Sequence, residues 1–254
     1  MDAFTPSDKF LFIGTSGCGK SYLAKKLQYP RCVIFDTLHE YDQEEHITYN
    51  FTDFCDRLLF FEREHKTEFR LVYQFDPESS ISDHEFNHAM RVLYYHGDLQ
   101  IVIEEVQNFS SVHSMPHWLK QSFLTGRHQN ISLQMTTQRP GELNKLLLSQ
   151  CKHVFFGQIF EKNDTDYCRS VLGDRAFELA NLKQREFLYF SPGKPVEKMT
   201  NDLKRLSPGP NPSQDKNGPD PKINVETFTN STDHEVDIDP VNITESDENL
   251  ELGE

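Results

Sequence analysis

Residues 9–27 read KFLFIGTSGCGKSYLAKKL, an apolar run that meets a glycine-rich turn and continues with helical spacing. Gly14, Thr15, Ser16, Gly17, Cys18, Gly19, Lys20 and Ser21 satisfy the pattern G-x-x-x-x-G-K-S/T. Glycines let the backbone curl so that successive N–H groups point at one phosphate. Lys20 would then reach the β- and γ-phosphates, and Ser21 would ligate Mg²⁺. Such a cradle needs a strand before it and a helix after it, because the helix N-terminus favours an anion. Both flanks have the required pattern. The competing reading is a glycine-rich turn that binds nothing.

The alternation continues downstream. KFLFIG, CVIFD, FRLVYQF, LQIVIEEV, ISLQMTTQ, KHVFFGQI and EFLYFSP read as strands. Between them lie segments of helical period, one with Phe51, Phe54, Cys55, Leu58 and Leu59 on a single face, another with Phe86, Ala89, Met90, Leu93 and Tyr94. Asp83 is the expected N-cap of the second helix and Gly97 its stop. Several strands are apolar on both faces, as in a sheet covered on both sides. The expected fold is therefore α/β, a three-layer sandwich with a mostly parallel central sheet.

Composition divides the chain. Its net charge is −14, but residues 207–254 hold two Lys/Arg against twelve Asp/Glu, leaving −4 on residues 1–206. The expected domains are a P-loop domain over 1–206 and an acidic, Pro/Asp/Glu-rich tail over 207–254. Such a tail cannot bury enough apolar surface to offset its ordering entropy and is expected to be disordered. It is either a solvated segment or an arm that competes with DNA or docks on a partner. The five scattered cysteines include no C-x-x-C pair and fit reduced thiols. MDAFTPSDKF carries no basic or long apolar stretch, so no signal peptide is expected. No apolar run nears the ~20 residues of a membrane span.

A phosphate cradle alone does not separate kinases, GTPases and motors. LQIVIEEV runs into two carboxylates at the end of a strand. Glu104 would hold the Mg²⁺ shell and Glu105 would polarise the attacking water, with successive strand side chains diverging to suit the two roles. Two solvated acids at a strand end are the plainer alternative. In LTGRHQNISLQMTTQRPGEL, a strand ends in Gln138, Arg139 and Pro140. Gln138 could touch the γ-phosphate and the water together, or be a satisfied core amide. Arg127 could reach into a neighbouring subunit's site, where such a finger is worth ~10³–10⁵ in rate. Otherwise it is a surface arginine capping the preceding helix.

The cradle, the strand CVIFDTLHEYD with Asp36, Glu40 and Tyr41, the acidic pair, the GRHQNIS turn and TTQRP stand in one order. Together they resemble the HerA/FtsK superfamily of DNA-pumping ATPases. Within it, the compact size and the TGRH-x-NIS segment are most similar to the genome-packaging ATPases of icosahedral viruses with internal membranes, such as tectiviruses and poxviruses. The resemblance spans residues 9–192. It implies an ASCE/RecA-like P-loop NTPase fold and a homo-oligomeric ring, usually a hexamer, that threads double-stranded DNA and hydrolyses ATP with Mg²⁺ at subunit interfaces. By that likeness Lys20 and Ser21 bind nucleotide and Mg²⁺, Glu105 is the base, Gln138 the sensor and Arg127 the trans finger, with Arg139 in reserve. It also implies work in the host cytoplasm or the virion, with a capsid-vertex or membrane protein as a docking partner. Glu104 departs from the usual Asp, and no obvious N-terminal barrel or C-terminal winged helix like those of the cellular members is read in this sequence. DNA contacts would then come from core loops: QNFSSVHSMPHWLKQ, with His113, His117, Trp118 and Lys120, or the stretch holding Asn144 and Lys145.

Other signals compete. His84–His88 matches H-E-x-x-H, but Asp83 precedes it and no downstream third ligand is evident. His113 and His117 are four apart with Pro116 between them. Cys18 beside a helix N-terminus could be redox-sensitive, although a small residue tolerated in the loop is the simpler reading. A small-molecule or nucleoside kinase and a nucleotide-switched assembly protein remain the alternatives to a motor.

Overall fold

The computed structural model describes residues 4–74 and 82–200. The acidic tail and the boundary at residue 206 lie outside the described residues. All seven expected strands form: β1 (Lys9–Ile13), β2 (Arg31–Phe35), β4 (Phe69–Tyr73), β5 (Leu99–Ile103), β6 (Ile131–Thr137), β7 (His153–Phe156) and β8 (Glu186–Phe190). Two more, β3 (Ile47–Thr48) and β9 (Glu197–Thr200), complete a nine-stranded sheet of order β3-β4-β2-β5-β6-β1-β7-β8-β9. Strands β1 to β7 pair in parallel; β8 and β9 run antiparallel at one edge. Neither β3 nor β9 has a sequence signature, because two residues make no period and EKMT has no fully buried face.

Register sorts the core into two faces. Phe10, Gln134, Val102, Ile34 and Val72 follow one another across the sheet and share a face. Helix α1 (Lys20–Lys26) covers it, packing Leu23, Ala24 and Leu27 with Phe10, Phe12 and Phe155. Gln134 is buried there and donates to the Ala24 carbonyl at 3.0 Å. The opposite face carries Phe35 and Tyr73. Phe54 of α2 (Phe51–Arg63) stacks on Tyr73, and Phe86 of α3 (Ser82–His96) meets Phe35 edge-on. Helices on both faces make the three layers.

Local chemistry sets the helix ends. Asn50 caps α2 by accepting from the Asp53 amide. Its buried face holds Phe54, Cys55, Leu58 and Phe61, while Phe51 and Leu59 are half-buried. Helix α3 includes Asp83 in its first turn, so Asp83 is not the residue preceding it. Gly97 does stop α3: its φ is +65°, and a Cβ there would come within 2.7 Å of the Gln129 carbonyl oxygen. Pro116 precedes α4 (His117–Thr125), so His113 lies in the loop before it and the two histidines share no helix. All five cysteines are buried free thiols.

Candidate nucleotide site

Strand order decides which residues meet. β6 lies between β1 and β5, so three parallel strands bring the glycine-rich loop, the two glutamates and Gln138 to one edge of the sheet. Ligands of open parallel sheets bind at that carboxyl edge.

The loop folds as its glycines require. Gly17 and Gly19 have φ of +76° and +101°, a region open to glycine at little cost. Gly19 begins α1 with no side-chain cap, which leaves first-turn N–H groups free of intrahelical acceptors. The Gly14 amide donates to Thr137 O at 3.1 Å and the Thr15 amide to Gln158 O at 2.9 Å. From the other side, Gln184 Nε2 donates to Gly17 O and the Arg185 amide to Cys18 O, at 2.9 and 2.8 Å. Cys18 faces inward, and a Cβ on Gly14 or Gly157 would strike its Sγ. Burial pushes the Cys18 thiol up, more than its hydrogen bonds and nearby Lys20 lower it. That disfavours the redox-active thiolate and makes Cys18 a packing residue of the loop.

Glu105 is the hub. β5 ends at Ile103, two residues earlier than a continuous strand through the acidic pair would require. Glu105 adopts φ +52°, ψ +62° before a 3₁₀ turn over Val106–Asn108. The left-handed turn, and not strand alternation, separates the two carboxylates. That conformation costs a non-glycine residue roughly 1–2 kcal/mol and persists only where its surroundings over-determine it. Here they do. Lys20 Nζ lies 3.2 Å from Glu105 Oε1 with both side chains buried. Gln138 donates from its side chain to Oε1 at 2.8 Å and from its backbone to Oε2 at 3.1 Å. Gln107 Nε2 donates to Oε2 at 2.6 Å. The Glu105 amide donates to Thr136 Oγ1 at 2.9 Å.

Glu104 turns the other way, into the sheet. Thr136 donates to its Oε2 at 2.6 Å and Tyr41 to its Oε1 at 2.9 Å; Gln28 in turn donates to the Tyr41 hydroxyl at 2.8 Å. Burial pushes the Glu104 carboxyl above the usual range, with the two hydroxyl donors offsetting only part. Asp36 accepts from the amides of Glu40 and Tyr41 and from Gln74, and so shapes the turn that delivers Tyr41. The Ser21 hydroxyl and the Glu104 carboxyl are oxygen donors of the kind Mg²⁺ takes, and both Glu104 oxygens already accept from hydroxyls, Tyr41 and Thr136.

The remaining candidates lie elsewhere. Arg127 is exposed in the turn before β6, at the opposite end of that strand from Gln138. Seven residues of strand span about 20 Å, so Arg127 cannot serve its own site. Arg139 stands beside Gln138, exposed, 3.5 Å from Glu142. The two stretches read for DNA contact adjoin: Asn144 caps α5 (Lys145–Gln150) and donates to Val112 O at 3.3 Å. Trp118 packs on Tyr94 and Tyr95, leaving His113, His117 and Lys120 exposed. The rings of His84 and His88 touch, with centroids 4.1 Å apart. Among the described residues, no group of three His, Cys, Asp or Glu is arranged to hold a metal. No described helix is long and apolar enough to cross a membrane.

No family model matches the sequence, and no curated protein does. Solved structures do match in fold. The genome-packaging NTPase B204 of Sulfolobus turreted icosahedral virus 2, in complex with ATP-γS, superposes with TM-score 0.63 at 18% identity, over 78% of this chain and 98% of that one. The fold is that of the P-loop ATPases. B204 from Sulfolobus turreted icosahedral virus, described as a DNA-packaging ATPase, gives 0.59 at 18% identity with the same coverage. VirB4 of Thermoanaerobacter pseudethanolicus gives 0.54 at 12% identity, over 74% of this chain and 89% of that one.

Residues that sequence reasoning missed are those brought in by the turns. Gln107 reaches Glu105 only because the chain reverses at Glu105. Thr136 bridges both glutamates from the middle strand, and Gln184 and Arg185 clasp the loop from the antiparallel edge. None has a local motif.

Proposed function

We propose that this chain is an ATP-hydrolysing motor that moves double-stranded DNA, working as a homo-oligomeric ring, a hexamer, to package a viral genome into a preformed capsid. One observation carries the reading: a buried carboxylate, Glu105, held against both the cradle lysine and a glutamine just past the end of the strand between them. A group-transfer kinase has no need of a base poised to take a proton from water. The packaging enzymes that share the fold support the choice of cargo.

In this reading Lys20 leaves Glu105 to grip the nucleotide's phosphates, and the N–H groups of Gly17 and Gly19 turn to the same oxygens. Ser21 and Glu104 would hold Mg²⁺, which supplies charge neutralisation at the phosphates. Glu105, relieved of Lys20, accepts a proton from water, and Gln138 reports the change through β6. Arg127 acts only across a subunit boundary, with Arg139 as the second choice. The joined surface of Val112, His113, Asn144 and Lys145 opens from the same edge and offers donors to DNA phosphates without reading sequence. The protein works in the host cytoplasm or the virion, docked on a vertex or membrane protein.

The test is ATP hydrolysis at fixed salt, with and without long double-stranded DNA, for the wild type and Glu105→Gln. DNA-stimulated turnover that Glu105→Gln abolishes, with nucleotide binding retained, is expected. Turnover that ignores DNA but follows an added nucleoside would mean a kinase. ATP binding and ring assembly without turnover would mean a nucleotide-switched assembly protein.

A further inference from the structure

Three hydrogen bonds and one ion pair hold the Glu105 carboxylate. Gln138 Nε2 donates to Oε1, where Lys20 Nζ is also paired, and the Gln138 amide and Gln107 Nε2 donate to Oε2. An ionised carboxylate offers about four lone-pair positions, so these contacts leave little of it open to a water. With Lys20 against it, Glu105 is a poor base. Of the four contacts, the one with Lys20 is the one a phosphate competes for, and its loss opens Oε1 alone. Oε2 stays fixed, and Gln107 makes the shorter of its two bonds.

Gln107 contributes a second observation. Because a carboxylate can only accept, Gln107 must turn its NH₂, not its carbonyl, to Glu105 Oε2. That carbonyl oxygen, Oε1, is buried and has no hydrogen-bond partner. Buried acceptors are rarely left unpaired, and those that are call for a functional account.

We propose that Gln107 is a positioning residue for hydrolysis: its amide fixes Oε2 of Glu105 so that only Oε1 is freed for water, and its carbonyl accepts the water's second hydrogen bond. The inference rests on the hydrolytic reading above. In the step itself the water oxygen bonds to the γ-phosphorus and the bond to the bridging oxygen breaks, leaving its electron pair on ADP. One water proton passes to Glu105 Oε1. The other stays on the attacking oxygen, aligned by Gln107 Oε1.

Gln107→Leu removes both contacts at nearly constant volume, and Gln107→Glu sets a like charge against Glu105. The measurement is steady-state ATP hydrolysis at fixed pH, alongside wild type and Glu105→Gln, with thermal midpoints recorded. A positioning group is worth less than the ~10²–10⁴ of the base it serves. Gln107→Leu should therefore lower kcat roughly tenfold to hundredfold, with KM for ATP unchanged within about twofold, and Gln107→Glu should lower kcat at least as far. An unchanged kcat in a folded Gln107→Leu, or a loss confined to KM, overturns the proposal while leaving the hydrolytic reading intact. Absence of turnover in the wild type, or full turnover in Glu105→Gln, overturns both.

Discussion

Lys20 and Glu105 form a buried ion pair, 3.2 Å apart, between residues that follow two strands separated by a third. Breaking a buried pair by removing one partner typically costs about 3–5 kcal/mol, because the other charge is left stranded. Here Gln138 and Gln107 remain on Glu105, so Lys20→Met should destabilise the nucleotide-free protein by less, about 1–3 kcal/mol. In a denaturant double-mutant cycle, Lys20→Met with Glu105→Gln should cost less than the sum of the two. Additive losses would mean that the pair is not formed in solution.

Glu105→Gln alone should reduce ATP turnover by roughly 10²–10⁴, the share of a general base, with little change in nucleotide affinity. Single-turnover kinetics together with a binding titration separate the two. A loss of affinity without a loss of rate would assign Glu105 to holding Lys20 in place.

Thr136 links the two glutamates, donating to Glu104 and accepting from the Glu105 amide. Thr136→Val keeps the shape and deletes both bonds, leaving a buried amide and carboxyl short of a partner. Stability should fall by about 1–3 kcal/mol and kcat by about tenfold, because the left-handed turn at Glu105 loses its anchor. Urea unfolding and steady-state rates test the two effects independently.

At the other end of the sheet, Asp8 accepts from His153, Lys152 and Thr5. Burial alone would raise its carboxyl. The bonds from His153, Thr5 and Lys152 outweigh burial and hold it well below the ordinary value of 3.8. A depressed carboxylate contributes stability that is complete above its unfolded value and is lost as pH falls below it. The wild type should therefore lose stability on acidification below about pH 4 more steeply than Asp8→Asn. Asp8→Asn should be weaker at neutral pH by about 1–3 kcal/mol. Parallel unfolding curves for the two proteins across pH would contradict the assignment. Turnover per folded molecule should not change, since Asp8 is remote from the nucleotide edge.

Gly157 packs against the phosphate loop from β7's end. A Cβ there would lie 2.9 Å from Cys18 Sγ, 3.2 Å from Phe187 and 3.3 Å from the Ile13 carbonyl. Gly157→Ala should cost about 1–3 kcal/mol by overpacking and weaken ATP binding by displacing the loop. Adding Cys18→Ala should recover part of both. The thermal shift with and without nucleotide reads the two effects in one assay.

Much of this was legible in the sequence because it is local. The cradle, the seven long strands and the stop at Gly97 depend on glycine geometry and hydrophobic period, which neighbouring residues write together. Glu105 and Gln138 were legible as strand-end polar groups. Gln107 was not, because its reach depends on one left-handed residue that no period announces. The partners of Glu104 were hidden for another reason: Tyr41 lies 63 residues away in sequence and Thr136 lies 32, joined only by strand order. Arg127 shows the limit of position-based roles. Its place before β6 was read correctly, but whether a neighbour lies within its reach depends on a second copy of the chain.

The antiparallel edge has a mechanical meaning. In β9, Thr200 pairs with Glu186, which follows directly on Arg185, whose amide grips Cys18 in the phosphate loop. Adjacent strands stand about 4.8 Å apart. A displacement of β9 along the sheet therefore acts one strand spacing from the segment that clasps the nucleotide loop. The edge strand and the cradle are mechanically joined.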